Sequence, residues 1–257
     1  MKIVLIGSGN VAIHLGPALI KAGHKIIQLA GRTETSTRKL SIRLNCPYTL
    51  DPGSITEKAD IYILAIKDEA ISGYSRYIPG NKALVLHTSG TVKADVLANC
   101  GKMYGVLYPV QTFSRKRKIN FKKVPLCLEA GTPDSKKRLD SLARSISNNT
   151  QWTSYTERQY IHLAAVFANN FSNHLYLIAE KLLLKKDLSF EILRPLILET
   201  ALKVQKNRPL QMQTGPARRG DTKTIEMHKA LLKTDDNLSN MYTILTQSIL
   251  DHSGPTM

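Results

Sequence analysis

Apolar positions fall into two regimes along the 257-residue chain. Up to about residue 153, short apolar runs of strand length alternate with stretches of helical period; beyond it the period is helical throughout. The first run, Ile3-Val4-Leu5-Ile6, opens directly into Gly7-Ser8-Gly9-Asn10-Val11-Ala12. Residues 10–22 read as a helix with Val11, Ala12, Leu15, Leu19 and Ala22 near one face. Pro17 inside it removes a backbone donor and predicts a kink. Lys25–Ala30 predicts a second strand, Thr35–Leu44 a helix, and Asp51-Pro52-Gly53 a turn. The runs 61–66 and 83–87 are continuously apolar, as parallel strands buried on both faces are. Tyr104–Tyr108 and Val124–Leu128 read as shorter strands, and Ser135–Ser147 as a helix with Leu139, Leu142, Ala143 and Ile146 inward.

Strands alternating with helices predict an α/β fold, a doubly wound parallel sheet of Rossmann type over residues 1–153. A smaller all-α domain is expected over 154–257, beginning with one long helix, Gln159–Leu184, and continuing with helices in 189–205 and 222–251.

Composition narrows the classes. Hydrophobic residues make up 42%, enough for a substantial core, and no apolar run is long enough to span a bilayer. The N-terminal apolar stretch is too short for a signal peptide and belongs to the first strand. Cys46, Cys100 and Cys127 are far apart and lack metal-ligand spacing, so no metal site and a reducing, cytoplasmic setting are expected. The formal charge is +16. Its densest run, Arg115-Lys116-Arg117-Lys118 with Lys122-Lys123, contains Phe121 but no repeated aromatic interleaving, and no nucleic-acid motif surrounds it. It reads as a solvated basic loop, with nucleic-acid binding through 115–123 the less favoured alternative.

The candidate chemistry begins at the glycine turn. A strand, a glycine turn and a helix in that order form a dinucleotide pyrophosphate site. Gly7 permits the tight turn, Gly9 admits the phosphates, and Ala12 stands where a third glycine often does; Ser8, Asn10 and Val11 complete the cradle. An acid at the end of the second strand would hold ribose hydroxyls, and an arginine there a 2′-phosphate. Here the strand ends Gly31-Arg32-Thr33, which predicts NADP(H). Ligands sit beyond the carboxyl ends of such strands, so Ala65, Ile66 and Lys67, and Thr88 and Ser89, are further candidates for cofactor contact. Ser89 is also a candidate catalytic hydroxyl.

The strings Gly7–Ala12, Ala59-Asp60-Ile61 with Ala65-Ile66, 87–90, 108–113 and Thr214-Gly215-Pro216-Ala217-Arg218-Arg219-Gly220-Asp221 occur in this order. Together they resemble a bacterial family of Rossmann-like proteins with a helical C-terminal domain of unknown function, provisionally described as NADP oxidoreductases. That family is similar to pyrroline-5-carboxylate reductase, to deazaflavin-dependent NADP reductases and, more distantly, to β-hydroxyacid dehydrogenases. The resemblance implies a homodimer built on the C-terminal helices and names no substrate. In the hydroxyacid dehydrogenases a catalytic lysine precedes an Asn-Asn pair on the first helix after the Rossmann domain. Here Asn169-Asn170 matches that pair and Val166 stands at the lysine position. Valine cannot protonate a developing alkoxide, whereas an already protonated imine needs no such acid at that moment, so C=N chemistry is favoured over C=O.

Asn170 and His174, four apart, share a helix face and are candidate catalytic groups, with His162, Asn169 and Asn173 on a neighbouring face and Asn169 a candidate substrate contact. Arg218 and Arg219 are either a solvent-facing pair or a site for a substrate carboxylate or phosphate. Three readings remain: an NADP(H)-dependent oxidoreductase acting on a small, anionic imine or carbonyl compound; an NADP-binding sensor or scaffold without turnover; and the nucleic-acid reading above.

Overall fold

The structure is a computed structural model and describes residues 1–79 and 82–252. Positions 253–257 of the expected helical domain lie outside the described residues. In chain order the first part comprises β1 (Lys2–Ile6), α1 (Asn10–Lys21), β2 (Lys25–Ala30), α2 (Glu34–Leu44), β3 (Tyr48–Thr49), β4 (Ile61–Leu64) and α3 (Asp68–Ser75). There follow β5 (Leu84–His87), β6 (Tyr104–Pro109), β7 (Leu126–Ala130), α4 (Pro133–Ile146) and β8 (Thr150–Trp152).

The strands form one sheet in the order β3-β2-β1-β4-β5-β6-β7-β8. The chain starts in the middle of the sheet, winds outward through β2 and β3, then crosses β1 to build the other half from β4. That reversal leaves a crevice at the carboxyl ends of β1 and β4. The centre is buried on both faces: Ile63 pairs with Leu5 on one side and Leu86 on the other, and all three are fully buried. Each such side chain contributes about 1.5–3 kcal/mol on leaving water, so the apolar runs of β1, β4 and β5 drive this assembly.

The sheet is an α/β Rossmann sheet, with one departure from an all-parallel arrangement. β6 and β7 are antiparallel, whereas the other neighbouring pairs run parallel. Between Pro109 and Leu126 the chain forms only a loop and a short 3-10 turn, Phe121–Lys123, and a parallel return needs a longer crossover. Pro17 lies inside α1 without ending it.

Every described element after β8 is helical. α5 (Tyr155–Ala165) starts on a capping box, in which Ser154 and Glu157 satisfy each other's backbone donors. It does not continue as one α-helix. Val166–Phe171 winds as a π-helix before α6 (Ser172–Leu184) resumes. α7 (Arg194–Lys206), α8 (Pro209–Met212), α9 (Pro216–Arg219), α10 (Thr222–Leu232) and α11 (Asp236–His252) follow. The chain divides into two compact units, Met1–Leu175 and Tyr176–Met257. Within the second, His228 on α10 meets the Tyr242 hydroxyl on α11 at 2.9 Å, and Asp221 caps α10 through the Thr224 amide. None of the described helices is long and apolar enough to cross a membrane.

Candidate active site

The carboxyl ends of β1, β2, β4, β5 and β6 share one edge of the sheet, since these strands run parallel. At β1, Gly7 has φ +115°, and a Cβ there would lie 2.2 Å from the Ala65 carbonyl oxygen. The turn therefore lies against the residue that follows β4. Gly9 has open space where its Cβ would be. It is the residue before α1, which begins at Asn10 and Val11 with no side-chain cap and no acid in its first turn. The first N–H groups of α1 are thus left for an external anion. Ala12 is fully buried beneath them. Ser8 Oγ lies 2.8 Å from Ser36 Oγ, which ties the glycine turn to the first turn of α2.

At β2, Gly31 is required by close approach: a Cβ would fall 2.1 Å from Thr37 Oγ1. Arg32 and Thr33 are exposed, and Arg32 has no ion-pair partner among the described residues. The nearest carboxylate in sequence, Glu34, accepts a hydrogen bond from Tyr48 at 2.7 Å and is anchored to β3. An open cradle with a free guanidinium beside it fits a phosphorylated dinucleotide: backbone amides at 8–11 would hold the pyrophosphate, and Arg32 a 2′-phosphate.

The β5 end is a braced turn. His87 is fully buried; its Nδ1 accepts from the Ser89 amide at 3.2 Å, so Nε2 donates to the Lys93 carbonyl, also at 3.2 Å. Burial pushes its pKa down to about 4, in keeping with a neutral ring whose two nitrogens are both engaged. Ser89 Oγ donates to Asp68 at 2.7 Å and accepts from the amides of Thr91 and Val92, each at 3.0 Å. That hydroxyl is committed to shaping the turn. Thr88 is buried, with its amide on the Leu64 carbonyl at 3.2 Å. Ala65 and Ile66 lie just past β4, and the exposed Lys67 precedes α3, paired with Glu69 at 3.7 Å.

Two residues of α5 reach this edge, and sequence reasoning gave neither that place. Arg158 is fully buried, bonded to Glu129 at 2.6 Å and to the Ser89 carbonyl at 3.0 Å. His162 Nδ1 lies 3.0 Å from the Tyr108 hydroxyl at the end of β6. Gly90 makes room for the pair: a Cβ there would stand 2.8 Å from His162 Nδ1 and 3.0 Å from Tyr108 Cζ. Burial raises the pKa of Tyr108, so the phenol stays protonated and able to donate. With the imidazole protonated, Nδ1–H donates to the phenol oxygen and the phenol O–H is free for a third group. The two side chains therefore stand within proton-transfer distance of each other.

Val166, Asn169 and Asn170 all lie in the π-helical segment, and the exposed His174 follows it on α6. Single-turn π segments inside α-helices are frequent at functional sites. The hydrogen bonds of the sheet-edge cluster do not extend to Asn169, Asn170 or His174 among the described residues. Arg218 and Arg219 stand on α9 in the second unit, between Gly215 at φ +104° and Gly220 at φ +66°. No cluster of His, Cys, Asp or Glu able to hold a metal occurs among the described residues.

Comparison with known proteins places this architecture. A Rossmann-like domain matches residues 1–108, and a domain of unknown function, DUF2520, matches residues 124–249. A crystal structure of a Bacteroides fragilis protein, provisionally named an NADP oxidoreductase, is 38% identical; the match covers 97% of this chain and 98% of that one, with a TM-score of 0.91. The chain belongs to the Rossmann-like DUF2520 family. Pyrroline-5-carboxylate reductase from Coxiella burnetii shares the fold at 18% identity, over 98% of this chain and 96% of that one, with a TM-score of 0.57. So does a reductive aminase from Aspergillus terreus, solved with NADPH and ethyl levulinate, at 12% identity, 100% and 96% coverage and a TM-score of 0.74. No curated protein matches the chain.

Proposed function

We propose that this DUF2520-family protein is an NADP(H)-dependent oxidoreductase acting on the C=N or C=O bond of a small anionic compound. The observation that carries the reading is the open, uncapped Gly7–Gly9 cradle together with Arg32 at the end of β2, which forms no ion pair among the described residues. The names of its relatives support it: the Bacteroides fragilis protein is named for NADP, and the Aspergillus terreus reductive aminase was solved with NADPH.

When bound, a reduced nicotinamide would supply hydride to the unsaturated carbon. The chain's own task is to supply or hold the accompanying proton. Val166 cannot do so; the Tyr108–His162 pair can, by donating the phenol proton to the substrate nitrogen or oxygen while Nδ1–H replaces it. An imine substrate remains favoured, since a protonated C=N asks less of that relay. Asn169 and Asn170 in the π segment are the groups we assign to substrate orientation, with His174 beside them. Arg218 and Arg219 are assigned to an anionic substituent. Thr88, Ser89 and residues 65–67 would line the cofactor.

The helical region supports a homodimer. Ile192, Leu196, Leu198, Leu231 and Ile244 are each 60% exposed or more, apolar surface that a second copy of the helices would cover. The free thiols of Cys46, Cys100 and Cys127 suit a cytoplasmic location.

The deciding experiment measures NADPH and NADH affinity for the wild type and Arg32→Ala. Loss of one charge-assisted phosphate contact is expected to weaken NADPH by at least tenfold and NADH by less than threefold, equivalent to about 1.4 kcal/mol or more for NADPH. Equal losses would overturn the NADP assignment, and no binding of either would overturn the oxidoreductase reading. Val166 in place of a lysine favours one second reading, a sensor that binds NADPH without turning over. Stabilisation by NADPH with no oxidation across keto acids and cyclic imines would establish it.

A further inference from the structure

The densest cationic run of the chain forms one wall of a cleft of about 800 Å³ in the first unit. The later half of α1 lines the facing wall with Pro17 and Lys21, and Arg43 from the end of α2 and Ile146 of α4 also line the cleft. The loop is held in place. His14 Nε2 donates to the Ser114 carbonyl at 2.9 Å and stacks on Phe113, which stacks in turn on the buried Phe121. Lys122 donates to the Ser145 carbonyl at 2.9 Å.

Apart from that lysine, the cleft's cations have no such engagement among the described residues. Lys21, Arg43, Arg115, Lys116, Arg117 and Lys118 all line it, and none forms an ion pair among the described residues. Among the described residues, no carboxylate lines the cleft. So many like charges around one concavity raise each other's energy, and an anion entering it relieves them. The floor is different in character: Ile13, Ala18, Ala22, Ile119 and Ile146 are apolar. A site with a cationic rim and an apolar floor takes a ligand built the same way, and the volume suits a whole small molecule rather than a single ion.

We propose that this cleft is a second ligand site, separate from the glycine-turn cradle, for a small organic polyphosphate of the nucleoside di- or triphosphate class. The arginines of the loop fork onto phosphate oxygens, and the apolar body lies against α1. A nucleic-acid strand fits less well. Phe113 and Phe121 are stacked on each other and so offer no free platform for successive bases.

Calorimetric titration of ATP tests this, using the wild type, R115E/R117E, and Gly9→Ala, which obstructs the glycine-turn cradle. ATP affinity is expected to fall at least tenfold in R115E/R117E and to change less than twofold in Gly9→Ala. Inorganic tripolyphosphate is expected to bind at least fivefold more weakly than ATP. Should the double variant fail to fold, Lys21→Glu on the facing wall carries the same tenfold expectation. The proposal is overturned by undetectable ATP binding, by binding that survives in the loop variants, or by binding lost in Gly9→Ala. Equal affinity for tripolyphosphate overturns it too, as does a single-stranded oligonucleotide that binds more tightly than ATP and gains affinity with length.

Discussion

The Tyr108 hydroxyl lies 3.0 Å from His162 Nδ1, joining the end of β6 to α5 across 54 residues of sequence. The pair has room only because residue 90 is glycine. If these groups relay the reaction's proton, Tyr108→Phe should lower kcat by about 10²–10⁴-fold, the usual contribution of a positioned acid, while leaving NADPH affinity within twofold. Gly90→Ala should lower kcat as well, by displacing the ring, at a cost of about 1–3 kcal/mol in stability. Steady-state kinetics beside NADPH binding checks both, and wild-type turnover in Tyr108→Phe removes the relay.

The two glycines of the turn make a matched test. Gly7→Ala combines a positive φ with a Cβ 2.2 Å from the Ala65 carbonyl, so it should destabilise the fold by several kcal/mol. Gly9→Ala meets nothing within 4 Å and should leave stability within about 1 kcal/mol, yet its methyl group occupies the space a pyrophosphate needs. Thermal unfolding with and without NADPH separates them: Gly9→Ala should melt like the wild type and lose the stabilisation NADPH provides. A normal NADPH shift in Gly9→Ala contradicts the cradle assignment.

The glycine cradle was legible because strand, turn and helix are contiguous, and β4 and β5 because strands buried on both faces are apolar at nearly every position, His87 at the end of β5 excepted. The two-residue β3 and three-residue β8 carry no periodicity and are defined by pairing alone. The π segment was hidden for a related reason: its residues suit an α-helix, and an inserted residue leaves no mark on a pattern read at 3.6. Arg158 looks like an ordinary solvent-facing residue in the first turn of a helix. Its two hydrogen-bond partners, Glu129 and Ser89, lie 29 and 69 residues away, and only the fold brings them together.

His87 gives the molecule a titration signature. Its pKa falls from 6.5 in the unfolded chain to about 4 in the fold, chiefly through burial. Between those values the unfolded chain binds a proton that the native state does not. Stability from this group is therefore complete above about pH 6.5 and is lost as the pH falls towards 4. From pH 7 to pH 5 the wild type should lose about 2 kcal/mol more than His87→Gln, whose amide keeps a donor for the Lys93 carbonyl. Urea unfolding at the two pH values measures the difference, and parallel slopes would show that His87 titrates normally.

Arg158 tests whether the braced turn matters to chemistry or only to folding. It is fully buried, while its partner Glu129 keeps 19% of its side chain in water. Arg158→Met removes the guanidinium and leaves Glu129 and the Ser89 carbonyl without their donor, which should cost about 3 kcal/mol, the lower end for a broken buried pair. Arg158→Met with Glu129→Leu replaces both charges by apolar groups and should recover most of that stability. It cannot restore the donor to Ser89, whose turn carries Thr88 and Gly90. The double variant is thus expected to regain its melting temperature but not its turnover. Recovery of both would make Arg158 a folding element alone; loss of turnover in a stable double variant would show that it positions the 88–90 turn.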